Sequence, residues 1–214
     1  MQQLSRRSVL ALTGTAMGGL LAGCLGDDGG PSPEGETVEE LPVPVIGSPD
    51  ADIVVTVYED FSCPSCRQFK TTITPVLLEE YVEPGEVRYA HRDFPFLDDW
   101  SWQVASGARA VQDHGDDEAF FTFAEHIYEH QGSYSFEAIE STANEVSDLG
   151  SLARDGAEMM TYEPVLVADR DHGEGIGVGG TPSVTVDGDL LDFSGAGTID
   201  DWLTIIRNEI AARQ

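Results

Sequence analysis

Two cysteines separated by two residues, Cys63-Pro64-Ser65-Cys66, are the part of this sequence best suited to chemistry. Disulfide exchange needs a thiolate that attacks and a second thiol that resolves the mixed disulfide. Residues three apart share a helix face, so this spacing brings both sulfurs together within one turn. Pro64 suits a first helical position. Cys63 then falls at a helix N-terminus, where free N–H groups and the macrodipole favour its anion. Cys63 is expected to be the exposed nucleophile, and Cys66, one turn inward, the resolving cysteine. A bond across so short a gap closes almost no loop and would stabilise little. The alternatives are an inert disulfide and half of a zinc site. Zinc takes four ligands, and no second CxxC or CxxH motif is present, so no metal is expected.

These cysteines need elements to place them. Ile53 to Tyr58 is a continuous β-branched run and reads as a buried strand, with Glu59 to Ser62 as the turn out of it. The helix opening at the cysteines carries Phe69, Ile73, Val76, Leu77 and Tyr81, with a kink expected at Pro75. Pro84-Gly85 ends it, and Val87 to His91 forms a second strand. From about 98 to 170 the apolar spacing is helical, with Trp102, Ala105, Ala108 and Val111 on the first face. Ser183 to Val186 is a strand, Asp187-Gly188-Asp189 a turn, and Leu190 to Phe193 its hairpin partner. A last amphipathic helix carries Ile199, Trp202, Leu203, Ile206 and Ile210.

The order βαβ, helical block, ββα is an α/β, thioredoxin-like fold with an inserted helical domain. With Cys63-Pro64-Ser65-Cys66 after a strand and Thr181-Pro182 before one, the chain from about Val43 to Gln214 resembles the DsbA family of thiol–disulfide oxidoreductases. The resemblance implies that Pro182 is cis and lies against a Cys63–Cys66 disulfide, with a backbone edge beside it where an extended substrate can pair. Two positions depart from the family pattern. A buried acid six residues before the first cysteine is replaced by Val57, and Glu59 and Asp60 are the candidate substitutes as proton acceptors for Cys66. Ser65 stands where strongly oxidising members have histidine, so Cys63 is expected to be less acidic than theirs.

The chain carries 39 acidic residues against 11 basic ones, a formal net charge of −28, and Lys70 is its one lysine. Such a surface repels nucleic acid, whose binding depends on Lys and Arg. Its self-repulsion is relieved only in concentrated salt, which points to an extreme halophile. Ser5-Arg6-Arg7-Ser8-Val9-Leu10 looks like a twin-arginine export signal, and Leu21-Ala22-Gly23-Cys24 resembles a lipobox with Cys24 as the lipidated residue. An uncleaved anchor with Cys24 unmodified is the other reading. Residues 1–24 are therefore set apart as a signal, 25–43 as a flexible acidic linker, and 44–214 as the folded domain.

The expected function is a dithiol oxidase on the outer face of the cell membrane, lipid-anchored, acting on thiols of exported proteins or peptides. It would need no cofactor, would be a monomer, and would be served by a membrane reoxidase. Two alternatives stand beside it: a reductase or isomerase served by a membrane reductase, and a redox-inactive peptide-binding lipoprotein with a structural disulfide. Gly175-Ile-Gly177-Val-Gly179-Gly180 contains GxGxxG but neither follows a strand nor opens a helix, so it fails as a dinucleotide site. His126-Ile-Tyr-Glu129-His130 is read as a coincidental HxxEH. His91, His114 and His172 are read as isolated surface or strand-end residues. Trp100 and Trp102 are read as core residues or a cap over the active-site groove, with a substrate-contact role as the alternative for them and for Phe94-Pro95-Phe96.

Overall fold

β-Branched residues build the central strand, β2 (Ile53–Glu59), which is hydrogen-bonded on both sides. The computed structural model describes residues 37–214. In it β2 runs parallel to β3 (Val87–Asp93) and antiparallel to β4 (Ser183–Val186). The edges are β1 (Val45–Ile46), antiparallel to β3, and β5 (Asp189–Leu190), antiparallel to β4. The order β1-β3-β2-β4-β5 is a mixed thioredoxin-like sheet.

Alternation along the strands decides what lies beneath the cysteines. Val55, Val57, Val87 and Tyr89 face Phe69 of α1 (Pro64–Thr72) and Ile73 just after it, together with Ile206 and Ile210 of α8 (Ile199–Ala211). Two residues further along the same pleat, Glu59 and His91 continue this face. Pro75 does interrupt the helix. Helical hydrogen bonding passes from α1 through the short α2 (Thr74–Leu77) into a π-helical turn at Leu78–Val82.

Between β3 and β4 lie α3 (Asp99–His114), α4 (Asp117–Ile127), α5 (Phe136–Ser147), α6 (Gly150–Glu158) and α7 (Glu163–Gly175). Asp98, Asp116 and Ser135 cap α3, α4 and α5 with their side chains, which explains where those helices start. Helices α3 and α6 meet through small residues. A Cβ on Gly156 would stand 2.9 Å from Ala110 Cβ, and Ser106 Oγ donates to the Gly156 carbonyl at 2.6 Å.

Three expectations change. Residues 37–43 belong to no free linker. Val38 N–H donates to Thr161 O, Arg109 and Gln112 donate to Pro42 O, and Val38 and Leu41 cover Tyr162 and Val165. Apolar residues and a carbonyl with two buried donors hold this stretch against the domain. Glu59 is the last residue of β2 rather than part of a turn. The hairpin partner of β4 stops at Leu190, apart from one bond from Leu191 N–H to Val184 O, because Phe193 leaves the sheet to stack on Trp202 at 4.1 Å. The twin-arginine, lipobox and Cys24 readings lie outside the described residues.

The α3–α6 seam leaves no room for a larger side chain. Gly156→Val is expected to cost about 1–3 kcal/mol in denaturant unfolding in molar salt; an unchanged midpoint would show that the two helices can separate freely.

Candidate active site

Cys63 is the N-cap of α1 and Pro64 its first helical residue. Pro64 and Ser65 are exposed, whereas Cys63 is 6% exposed and Cys66 fully buried. Cys63 Sγ lies 3.3 Å from the carbonyl oxygen of Thr181, and the Thr181–Pro182 peptide bond is cis. The Cys66 thiol contributes most to pulling Cys63 down to about 6. Burial opposes it, and the backbone N–H groups of Ser65 and Cys66 assist. Burial, thiol donation to Cys63 and the charge of Glu59 push Cys66 well up. The first sulfur is thus easily ionised and the second is held protonated.

The turn before Cys63 is gripped from the helical insertion. Gln131 donates to the carbonyls of Phe61 (2.8 Å) and Cys63 (2.9 Å), Tyr134 to Phe61 (2.7 Å) and Tyr128 to Asp60 (3.4 Å). Asp60 Oδ1 accepts from Ser62 N–H, and its Oδ2 accepts from Phe96 and Leu97 N–H. Both oxygens are engaged by backbone, so Asp60 shapes this turn, and Glu59 is the carboxylate whose charge reaches Cys66.

Glu59 belongs to a buried array of charge. Its Oε2 lies 2.8 Å from Lys70 Nζ and 2.9 Å from His91 Nδ1. His91 Nε2 lies 3.0 Å from Asp93 Oδ1, and Arg109 bridges Asp93 (2.6 Å) and Asp169 (2.5 Å). Burial would push Glu59 up, but Lys70 and His91 outweigh it and hold Glu59 below its ordinary range. The expectation for His91 is corrected: it is completely buried, because strand alternation turns it under α1 with Tyr89. His172 bonds Tyr58 at 2.8 Å, His114 and His126 are exposed, and the described residues hold no cluster spaced for a metal ion.

Two cavities flank the Cys63-Pro64-Ser65 edge. One, of about 330 Å³, is lined by Ser65, Gln68, Pro182, Gly197 and Trp202. The other, of about 450 Å³, is lined by Ser62, Pro64, Asp98, Trp100, Gln131 and Tyr134. A larger groove, about 590 Å³, lies elsewhere, between the 39–43 segment and α7, and touches neither cysteine. Of the aromatic candidates, Trp100 lines a flanking cavity, Phe94 is core, Phe96 is 43% exposed, and Trp102 lies beside Arg170.

A family model described as Thioredoxin matches residues 40–208. The chain belongs to the thioredoxin family. Within that family it is 32% identical to the probable disulfide bond formation protein D of Bacillus anthracis over 155 residues, covering 69% of this chain and 70% of the relative. It is 23% identical to disulfide bond formation protein D of Bacillus subtilis, covering 69% of each chain. Among solved structures, BdbD from Bacillus subtilis superposes with a TM-score of 0.71 at 20% identity, covering 83% of this chain and 98% of that one. Chlamydia trachomatis DsbA superposes at 0.66 and 22% identity, covering 78% and 92%. The DsbA-like arrangement, a thioredoxin sheet with a helical insertion, is therefore the fold of this chain.

Within this DsbA-like frame the structure brings Cys63, Pro64, Ser65, Cys66, Thr181, Pro182 and Glu59 to one place. The sequence reading missed His91, Asp93, Arg109, Asp169, Gln131, Tyr128 and Tyr134. One signal was available for Lys70: the sole lysine of the chain falls on the buried face of α1 with Cys66 and Phe69.

If the Cys66 thiol is the main stabiliser of the Cys63 anion, Cys66→Ala should raise the Cys63 midpoint from about 6 toward the free-thiol value of about 8.5. Ultraviolet thiolate absorbance against pH measures this, and a midpoint still near 6 would assign the effect to the backbone donors alone.

Proposed function

We propose that this protein is a thiol–disulfide oxidoreductase working as a dithiol oxidase on exported proteins through Cys63 and Cys66. The observation that carries the reading is Cys63 itself: at a helix N-cap, pulled down to about 6, and 3.3 Å from the carbonyl beside cis-Pro182. Relatives named for disulfide bond formation support the same class.

In the oxidised form Cys63 and Cys66 share a disulfide. A substrate thiolate attacks Cys63 Sγ, the S–S bond breaks, and Cys66 leaves with the electron pair and takes up a proton. A second substrate thiolate then attacks the substrate sulfur of the mixed disulfide and expels Cys63 as a thiolate. The substrate has lost two electrons and the cysteine pair has gained them. A low thiolate pKa stabilises the reduced pair and so favours the oxidising direction. The Thr181 backbone beside Pro182 offers the edge along which an extended substrate aligns. Glu59 accepts or returns the Cys66 proton. A membrane reoxidase closes the cycle, and no metal or organic cofactor enters it.

The setting belongs to the same proposal. The twin-arginine and lipobox motifs support an exported, lipid-anchored protein at the extracytoplasmic face. The charge of −28 supports a salt-loving source. The protein is then expected to unfold at lower temperature in dilute buffer than in molar salt, since the Debye length falls from about 10 Å at 0.1 M to about 3 Å at 1 M; a melting temperature indifferent to salt would remove the halophile reading.

The equilibrium reduction potential of Cys63–Cys66, measured against glutathione in molar salt, tests the direction of flow. A value between about −120 and −180 mV is expected, about −270 mV would mark a reductase, and resistance below about −300 mV would mark a structural bond and a binding module.

A further inference from the structure

His91 is fully buried, and each of its ring nitrogens faces a carboxylate oxygen: Glu59 Oε2 at 2.9 Å and Asp93 Oδ1 at 3.0 Å. A neutral imidazole carries one N–H and one lone pair. It can donate to one of these carboxylates, but its lone pair would then confront the other at hydrogen-bond distance with no proton between them. The trio must therefore hold one more proton than a neutral histidine and two carboxylates supply. Each carboxylate already has a cation of its own, Lys70 on Glu59 and Arg109 on Asp93, and both are held below their ordinary range against the push of burial. The extra proton belongs on the imidazole.

We propose that His91 is a buried imidazolium and a positioning residue, whose N–H groups on Glu59 and Asp93 keep Glu59 ionised as acceptor for the Cys66 proton. This second half rests on the exchange reading of Cys63 and Cys66. Glu59 Oε1 has no hydrogen-bond partner although it is buried, so one oxygen of the acceptor is free while the other is pinned. The remaining ionisable groups of this layer are Lys70 and Cys66 on α1, Tyr89 on β3, Tyr128 after α4, Arg109 on α3 and Asp169 on α7. The ring lies beside Phe61 and Phe120, tilted against each, with centroids at 5.9 and 5.0 Å.

Burial alone would make His91 less basic, yet Asp93 and Glu59 outweigh it and leave it raised. The stability His91 adds is then complete below its unfolded value of about 6.5 and is lost as pH climbs through the folded one.

During resolution, Cys66 gives its proton to Glu59, and its thiolate attacks Cys63 Sγ of a mixed disulfide. The Cys63–Cys66 bond forms as the bond to the bound thiol breaks, and that thiol leaves as an anion. Without the imidazolium, Glu59 protonates at higher pH and is lost as acceptor on the acid side.

Two measurements on the full chain in molar salt test this. Nitrogen NMR of ¹⁵N-histidine-labelled wild type should show both His91 ring nitrogens protonated at neutral pH; one bare nitrogen overturns the imidazolium. Then Cys63 is loaded with a chromogenic aryl thiol and its release by Cys66 is followed against pH in the wild type, His91→Phe and His91→Gln. Release from the variants should fall behind the wild type on the acid side, approaching tenfold once pH lies below the acceptor's midpoint in both proteins, the effect of a one-unit shift in the acceptor, and should converge with it on the alkaline side. A uniform loss across pH, or no loss, overturns the positioning role. If the wild type itself releases no thiol, the exchange reading falls and the Glu59 role with it, while the NMR result still decides the imidazolium. If neither variant folds, Lys70→Met, which removes the other cation on Glu59, should shift the same acid limb upward, and an unmoved limb overturns the role.

Discussion

Beneath the cysteines, ions that water would ordinarily hold are shut between the sheet and the helical insertion. Lys70, Glu59, His91, Asp93, Arg109 and Asp169 form one chain of contacts. An ion removed from water costs several kcal/mol, recovered only when partners and geometry are good, and removing one partner of a buried pair typically costs about 3–5 kcal/mol. The members come from β2, α1, β3, α3 and α7, so satisfying them requires all five elements to sit in one relation. The array therefore constrains how the insertion docks on the thioredoxin core.

That docking is what shapes the site. The helical insertion donates Tyr128, Gln131 and Tyr134 to the backbone carbonyls of residues 60, 61 and 63, which fixes the turn leading into α1. With the turn held, Cys63 stays at the N-cap facing the Thr181 carbonyl, while Cys66 is buried against the insertion. The difference in environment between two chemically identical groups follows: one meets donors that favour its anion, the other meets burial and a negative neighbour. On the proposed exchange reading, this difference divides attack and resolution between them.

Val57 stands where the resemblance implies a buried acid, and the buried carboxylate of this strand is Glu59 instead. Val57 and Glu59 are two residues apart and share a face of β2, so a carboxylate at 59 enters the same layer under α1. It does so one pleat nearer the cysteines, where His91 and Asp93 on the paired strand β3 can reach it and its neighbours. Asp60, one residue on, points the other way into backbone N–H groups and serves the turn instead.

The motif chemistry and the fold class were legible in the sequence because both are local. Cys63-Pro64-Ser65-Cys66 carries its own spacing, β2 its β-branched run, and the helices of the insertion their apolar period. Thr181-Pro182 could be placed only through family resemblance, since nothing near it in sequence draws it to the cysteines. His91 was misread because a lone histidine in a strand reveals its face only once the register with β2 is known. Arg109, Asp169 and Gln131 are 46, 106 and 68 residues from Cys63 in sequence. What brings them in is the closing of the insertion over the sheet, a long-range packing event that carries no local periodic signal. Sequence alone determined which groups could exchange disulfides and which elements would carry them. Tertiary structure decided which buried charges surround them, because a buried ion's partners are whatever distant segments the fold supplies.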